Sequence, residues 1–269
     1  PYNGTRKSLG MTAGVDPAWS EGGDDAIYAG CRVYEQDGRP FLDFSGLVRR
    51  MPIKATSEVP VTQQQRDFVI KTVREDGGPD IRHLAVDDSG NQGLGDSLIT
   101  YVGPGLLSVN NSKQASNLPI KATDSRPAKE FIKDRGAESW CVLAEFAKAG
   151  QVFGLPSGAV DALVQRRFAM RTGSTDIINP LRLEPKDNFK MRFKGSPNEA
   201  DACALAALAV KERLGVVPFG ASPIPEQRAV LGQTQQYNEA PMVTNADTGM
   251  EGDYGSLFSG GDDDYSSLT

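Results

Sequence analysis

From Ala200 to Val210 the chain reads Ala-Asp-Ala-Cys-Ala-Leu-Ala-Ala-Leu-Ala-Val, a helix-forming run that is small or apolar on every side. A helix without a solvent face must be covered all round, so the rest of the chain has to supply layers against it, and a sheet is the simplest such layer. Ser196-Pro197-Asn198-Glu199 marks where this helix opens: an N-cap Ser, Pro at the first helical position and Glu at the third. Asp201 stands within the first two turns. An ionised carboxylate among apolar residues is costly unless a cation or hydrogen bonds compensate it. The helix dipole favours acids at this end, but Glu199 already fills the capping role, which leaves Asp201 as a candidate ligand.

Two more acids stand at comparable punctuation. A short apolar approach (Met11, Ala13, Val15) delivers Asp16, and the turn Pro-Ala-Trp-Ser-Glu-Gly-Gly leads to Asp24, Asp25 and a second apolar run. Asp87 closes Ile-Arg-His-Leu-Ala-Val and opens Asp-Asp-Ser-Gly. Each has an ordinary alternative, since Asp before Pro, Asp after Gly and Asp-x-Ser-Gly are all common turn chemistry. Taken together, acids at three element ends suit two-metal phosphodiester hydrolysis. There, two Mg²⁺ or Mn²⁺ ions roughly 3.5–4 Å apart activate a water and stabilise the leaving oxygen, with carboxylates as their preferred ligands. No His or Lys base is then needed. The single histidine, His83, reads as a strand side chain near such a site, packing there rather than binding metal.

The remaining elements alternate between the two periods. Ala26–Tyr34, the turn Asp37-Gly38 and Pro40–Leu47 continue an antiparallel meander. Thr62-Gln-Gln-Gln65 reads as a capping box for a helix closed by Gly77-Gly78, and Ile81–Val86 as a strand reached by that helical crossover. Leu106–Val109 is a short strand, Pro127–Lys148 a long helix and Ala159–Arg167 another. Two polar strands follow, around Ile177–Leu183 and Phe189–Phe193. The cysteines, Cys31, Cys141 and Cys203, are far apart, odd in number and lack Cys-x-x-Cys spacing, which argues against a disulfide framework and a zinc site. The net charge of −6 hides an uneven spread. Residues 233–269 hold seven acids and no Lys or Arg, which leaves the rest of the chain at +1. Local basic clusters permit a nucleic-acid partner, with Lys186, Lys190, Arg192 and Lys194 as candidate DNA contacts; a solvated polar hairpin explains the same residues equally well. The Gly-, Ser- and Asp-rich tail is expected to be disordered.

Several segments, in this order, resemble the nuclease domain of the large terminase subunit of tailed bacteriophages: Gly-Val-Asp16-Pro-Ala with Gly-Gly-Asp24, Val-Asp87-x-Ser-Gly-x-x-Gly, Ser-Val-Asn110, Phe131-x-Lys-x-Arg-x-Ala-Glu-x-Trp140, Leu183-Glu-x-Lys186 and Ser196-Pro-x-Glu-Ala-Asp201-Ala. The resemblance covers about Thr12 to Leu214. It implies an α/β, ribonuclease H-like fold: a central mixed sheet of five or slightly more strands, the first three antiparallel and the next two parallel to the first, with helices on both faces. By the same resemblance Asp16, Asp87 and Asp201 are the catalytic, metal-binding acids and Asp24 an additional ligand. Asp25, Asp88 and Glu199 are secondary candidates beside them. Also implied are two Mg²⁺ or Mn²⁺ ions, cleavage of concatemeric double-stranded DNA, a portal protein and a small terminase subunit as partners, and the host cytoplasm during viral assembly as the setting. Residues 1–216 would form the nuclease domain and 217–269 a linker and acidic tail. No Gly-x-x-x-x-Gly-Lys-Ser/Thr occurs, and the chain opens on Pro1 without a basic-plus-apolar leader. It therefore reads as a piece of a longer protein whose ATPase domain lies elsewhere, with no segment suited to a membrane. Two rivals remain: a junction resolvase or other ribonuclease H-like nuclease using the same acids, and a non-catalytic module docking on the portal.

Overall fold

The computed structural model describes residues 6–18, 24–54, 58–90, 93–169, 181–193, 195–218 and 220–221. Strand β1 (Lys7–Asp16) pairs antiparallel with β2 (Ile27–Gln36), and β2 turns back into β3 (Arg39–Asp43). The turn is Asp37-Gly38, with φ of 53° and 73°. Positive φ at both central positions gives the backbone twist that matches the strands it joins. The strand expected over Pro40–Leu47 is cut short, because Asp43 accepts the Ser45 N–H at 2.9 Å and Gly46 takes a φ of 70°. The chain then returns to β2 as β4 (Val48–Arg50).

Helix α1 (Val61–Glu75) crosses one face of the sheet and leads through a short 3₁₀ turn to β5 (Leu84–Asp87), parallel to β1. Its expected capping box gives way to a different arrangement. Gln64 bonds Lys54 and Val59 of the incoming chain, and the buried Gln65 donates to the Ala18 carbonyl at 2.7 Å, tying the segment after Asp16 to the helix. Helix α2 (Leu94–Val102) precedes β6 (Leu107–Val109), which lies parallel to β5.

The long helix expected from Pro127 is broken. A 3₁₀ turn at Ala128–Glu130 is followed by a non-helical stretch, and α3 (Arg135–Lys148) starts only where Asp134 accepts the Ala137 N–H at 2.9 Å. This N-cap captures the helix start from the earlier proline. There follow β7 (Val152–Phe153), parallel to β3, α4 (Ser157–Gln165), and the short pair β8 (Phe168–Ala169) and β9 (Arg182–Leu183). Residues 177–180 of the strand expected there lie outside the described residues.

Phe189–Phe193 is not a strand. It belongs to helix α5 (Lys186–Phe193), whose first turn bonds back to the Pro185 carbonyl and whose Phe189 and Phe193 rings meet in a tilted contact four residues apart, 4.9 Å between centroids. Helix α6 (Asn198–Leu214) holds the apolar run. It starts two residues beyond Ser196, which donates to the Asn198 side chain at 2.5 Å instead of capping the helix. Strands β10 (Val216–Val217) and β11 (Gly220–Ala221) form a closing hairpin; the tail expected from 217 is otherwise outside the described residues.

The sheet order is β6-β5-β1-β2-β3-β7, with β4 also beside β2. The five expected strands are present in the expected directions, extended to seven by β4 and β7. Along β1, Ala13 and Val15 face the core shared with α1 and α2. Thr12 and Gly14 face α6, which α3 and α4 cover in turn; Thr12 donates to the Ala206 carbonyl at 3.0 Å. Residues 12, 14 and 16 share one side of a strand, so this alternation turns Asp16 towards α6.

Candidate active site

Parallel pairing of β1 and β5 sets Val15 across from Val86, so Asp16 and Asp87 end neighbouring strands at the same edge of the sheet. Asp201, in the first turn of α6, reaches that edge from above. The close approach depends on Gly14. A Cβ built there would lie 2.0 Å from the Ala202 carbonyl and 2.5 Å from the Ala206 nitrogen, so only a glycine lets helix and strand touch at this point.

Two of the carboxyl groups flank one ammonium, and the charge of the third, Asp87, also acts on it. Lys186 Nζ lies 2.8 Å from Asp201 Oδ2 and 3.9 Å from Asp16 Oδ2. Asp16 is 5% exposed, and burial pushes its carboxyl well above the ordinary range. Lys186 opposes this, while the negative charges of Asp201, Asp87 and Asp24 add to it. Burial works against the charge of Lys186, yet Asp201, Asp16 and Asp87 outweigh it and hold the ammonium above its ordinary value.

Each outer acid is also gripped from behind. Asp201 Oδ1 accepts from Trp140 Nε1 at 2.7 Å and from the Arg166 guanidinium at 2.9 Å, and Arg166 stacks 4.5 Å over the Trp140 ring. Asp87 Oδ1 accepts the Ser89 N–H and Oδ2 the Asn111 amide, both at 2.8 Å. The turn role and the site position of Asp87 therefore coexist on its two oxygens. A cleft of about 420 Å³ opens here, lined among others by Asp87, Asn111, Trp140, Arg166, Lys186 and Asp201.

The remaining expected residues divide. Asp24 is near enough for Asp16 to feel its charge, and both its oxygens accept from Lys190 at 2.8 Å. Asp25 turns away to Arg50 at 2.5 Å, and Asp88 accepts from Ser108 on β6 at 2.8 Å. Glu199 faces the start of α4, where its Oε2 would lie 2.5 Å from a Cβ at Gly158. Arg192 pairs with Glu184. Lys186, Lys190 and Arg192 are thus engaged with carboxylates rather than presented as a bare basic hairpin, because the segment is helical and turns 186 and 190 to one side. Lys194 lies outside the described residues. His83 is on the 3₁₀ turn ahead of β5, at the opposite end of that strand from Asp87 and not near the site.

The sequence offered no role for Asn111 or Arg166, and gave Trp140 only as the end of a motif. Trp140 and Arg166 sit on elements remote in sequence from Asp201, so no spacing signal could have linked them. Among the described residues no three His, Cys, Asp or Glu side chains form a ready-made metal cage. Lys186 holds the position between two of the acids. The donor set nevertheless suits a hard divalent cation: oxygen-only ligands, with Asp16 raised first by burial and then by the negative charges of its neighbours. Cys31, Cys141 and Cys203 are all buried and free, with burial pushing the Cys141 thiol up to about 12. No helix among the described residues is long and apolar enough to cross a membrane.

No protein-family model matches the chain, and no curated protein matches it. Among solved structures, it is similar to the nuclease domain of the large terminase subunit gp2 of bacterial virus Sf6, with a TM-score of 0.50 over 74% of this chain and 87% of that one, at 15% identity. The chain therefore has the ribonuclease H-like α/β fold of a phage terminase nuclease domain.

Proposed function

We propose that this chain is a divalent-cation-dependent endonuclease that cuts concatemeric double-stranded viral DNA during genome packaging. The observation that supports it most is that Asp16 and Asp87 end neighbouring strands while Asp16 and Asp201 flank one ammonium, whose charge Asp87 also supports. These three would hold Mg²⁺ or Mn²⁺, with Asp24 as a further ligand. When bound, the cation supplies Lewis-acid stabilisation of charge developing at the phosphate.

The chain's own residues supply positioning. Trp140 and Arg166 saturate Oδ1 of Asp201, which leaves Oδ2 turned towards Lys186. Ser89 and Asn111 fix the Asp87 carboxylate in the same way. Ligands oriented by outer partners lose less freedom on binding a cation than free ones would. Lys186 carries a positive charge beside the scissile phosphate and can donate to its oxygens. A portal protein, a small terminase subunit and an ATPase domain elsewhere in the full-length protein are the partners we assign to this reading, and the host cytoplasm its setting.

Incubation with supercoiled plasmid tests it. Nicked and linear products are expected with Mg²⁺ or Mn²⁺ and none with excess EDTA; absence of cleavage under every divalent condition would refute the assignment. Strong preference for branched over linear duplex would instead select a junction resolvase. Trp140→Phe keeps the ring but deletes the donor to Asp201. It is expected to weaken Mn²⁺ binding about 10-fold by calorimetry, beyond the modest loss of stability that the smaller buried ring brings.

A further inference from the structure

Helix α5 is held by ion pairs more than by packing. Of its eight residues only Phe189 is buried, while Met191 is 75% exposed and Phe193 39%. Lys186 and Lys190, one turn apart, point to Asp201 and Asp16 and to Asp24. Arg192 reaches Glu184 and the Gln165 carbonyl. Two of the three anchors are thus carboxylates that would hold the cation under the reading above.

An ammonium 2.8 Å from Asp201 and 3.9 Å from Asp16 cannot keep that place once a divalent ion takes the same oxygens, because like charges repel and the divalent ion carries twice the charge. The Lys190–Asp24 pair is partly exposed on both sides and so weak on its own. We infer that α5 is a cation-released DNA-binding element. With the acids bare, Lys186 and Lys190 neutralise them. With a divalent cation bound, both ammonium groups are freed and turn to phosphates of the duplex. The DNA contacts are then made by residues that are engaged elsewhere in the bare protein, which couples grip to readiness to cut. This inference rests on the proposed cation site.

All three native cysteines are buried, so a nitroxide on Met191→Cys in the full chain reports on α5 alone. Addition of Mg²⁺, without DNA, is expected to sharpen its spectrum to that of a mobile label. Duplex binding, followed by fluorescence anisotropy with Ca²⁺ in place of EDTA, is expected to tighten at least 10-fold, and Lys190→Gln to lose most of that gain. Asp24→Asn should tighten cation-free DNA binding more than Asp25→Asn, which removes the same charge one residue away but leaves Lys190 anchored. If calorimetry shows Mg²⁺ bound while the label stays immobile and the two Asn variants bind DNA alike, α5 is not released and the inference fails, with the cation site intact. If no Mg²⁺ binds and no cleavage occurs, the cation site fails and the inference with it.

Discussion

Asp16→Asn is expected to lower cation-dependent plasmid nicking by at least about 100-fold, more than the loss of an outer partner would, and to leave the fold intact. Asp16 feels the charge of both other acids and is the most buried of the three, so no exposed neighbour can substitute for it. The same substitution should make the protein more stable near neutral pH. In the folded chain the carboxyl is held above its ordinary value, so the folded state retains a proton that the unfolded chain has released. Its contribution to stability therefore falls as pH rises from the ordinary carboxylate range through the raised folded value, and Asn removes that loss. Urea denaturation of both proteins at pH 5 and pH 8 checks the sign: the advantage of Asn should grow with pH. An Asp16→Asn protein that cuts as the parent does would refute the role given to this residue.

Gly14→Ala is expected to prevent folding or to lower stability by more than the roughly 1–3 kcal/mol of ordinary core overpacking. The new methyl would overlap the Ala202 carbonyl and the Ala206 nitrogen, both backbone atoms of a buried helix that has nowhere to retreat. Gly38→Ala is the fitting control, because its Cβ would meet nothing within 4 Å and only the turn's positive φ is taxed. Circular dichroism with denaturant titration of the two variants separates them. If Gly14→Ala folds with parental stability, α6 does not approach β1 as closely as described. Any protein that does fold should have Asp201 displaced from Asp16, and with it the paired contact to Lys186.

Much of this architecture was legible because it depends on neighbours in sequence. The turn at Asp37-Gly38 follows from two residues that tolerate positive φ, and the burial of α6 from eleven consecutive positions without a solvent-facing set. Errors fell where a local pattern had two solutions. Phe189, Met191 and Phe193 alternate as a strand would, but Pro185 opens a helix and the Phe pair makes contact one turn apart, leaving Met191 outside. Pro127 and Asp134 both signal helix starts, and the side chain that accepts a backbone N–H captured it. The basic run at 186–192 read as a DNA-facing hairpin because sequence shows charge and not which acids it meets.

The residues alone determined that three carboxylates stand at the ends of apolar elements and that one helix must lie in the interior, since hydrogen-bond satisfaction and the cost of burying charge act residue by residue. Only the tertiary structure decided that these carboxylates meet, that Trp140 and Arg166 grip one of them, and that Lys186 is the cation between them. Those facts depend on parallel pairing of β1 with β5 and on a glycine-sized gap under α6, contacts between segments whose separation along the chain carries no information about their distance in space.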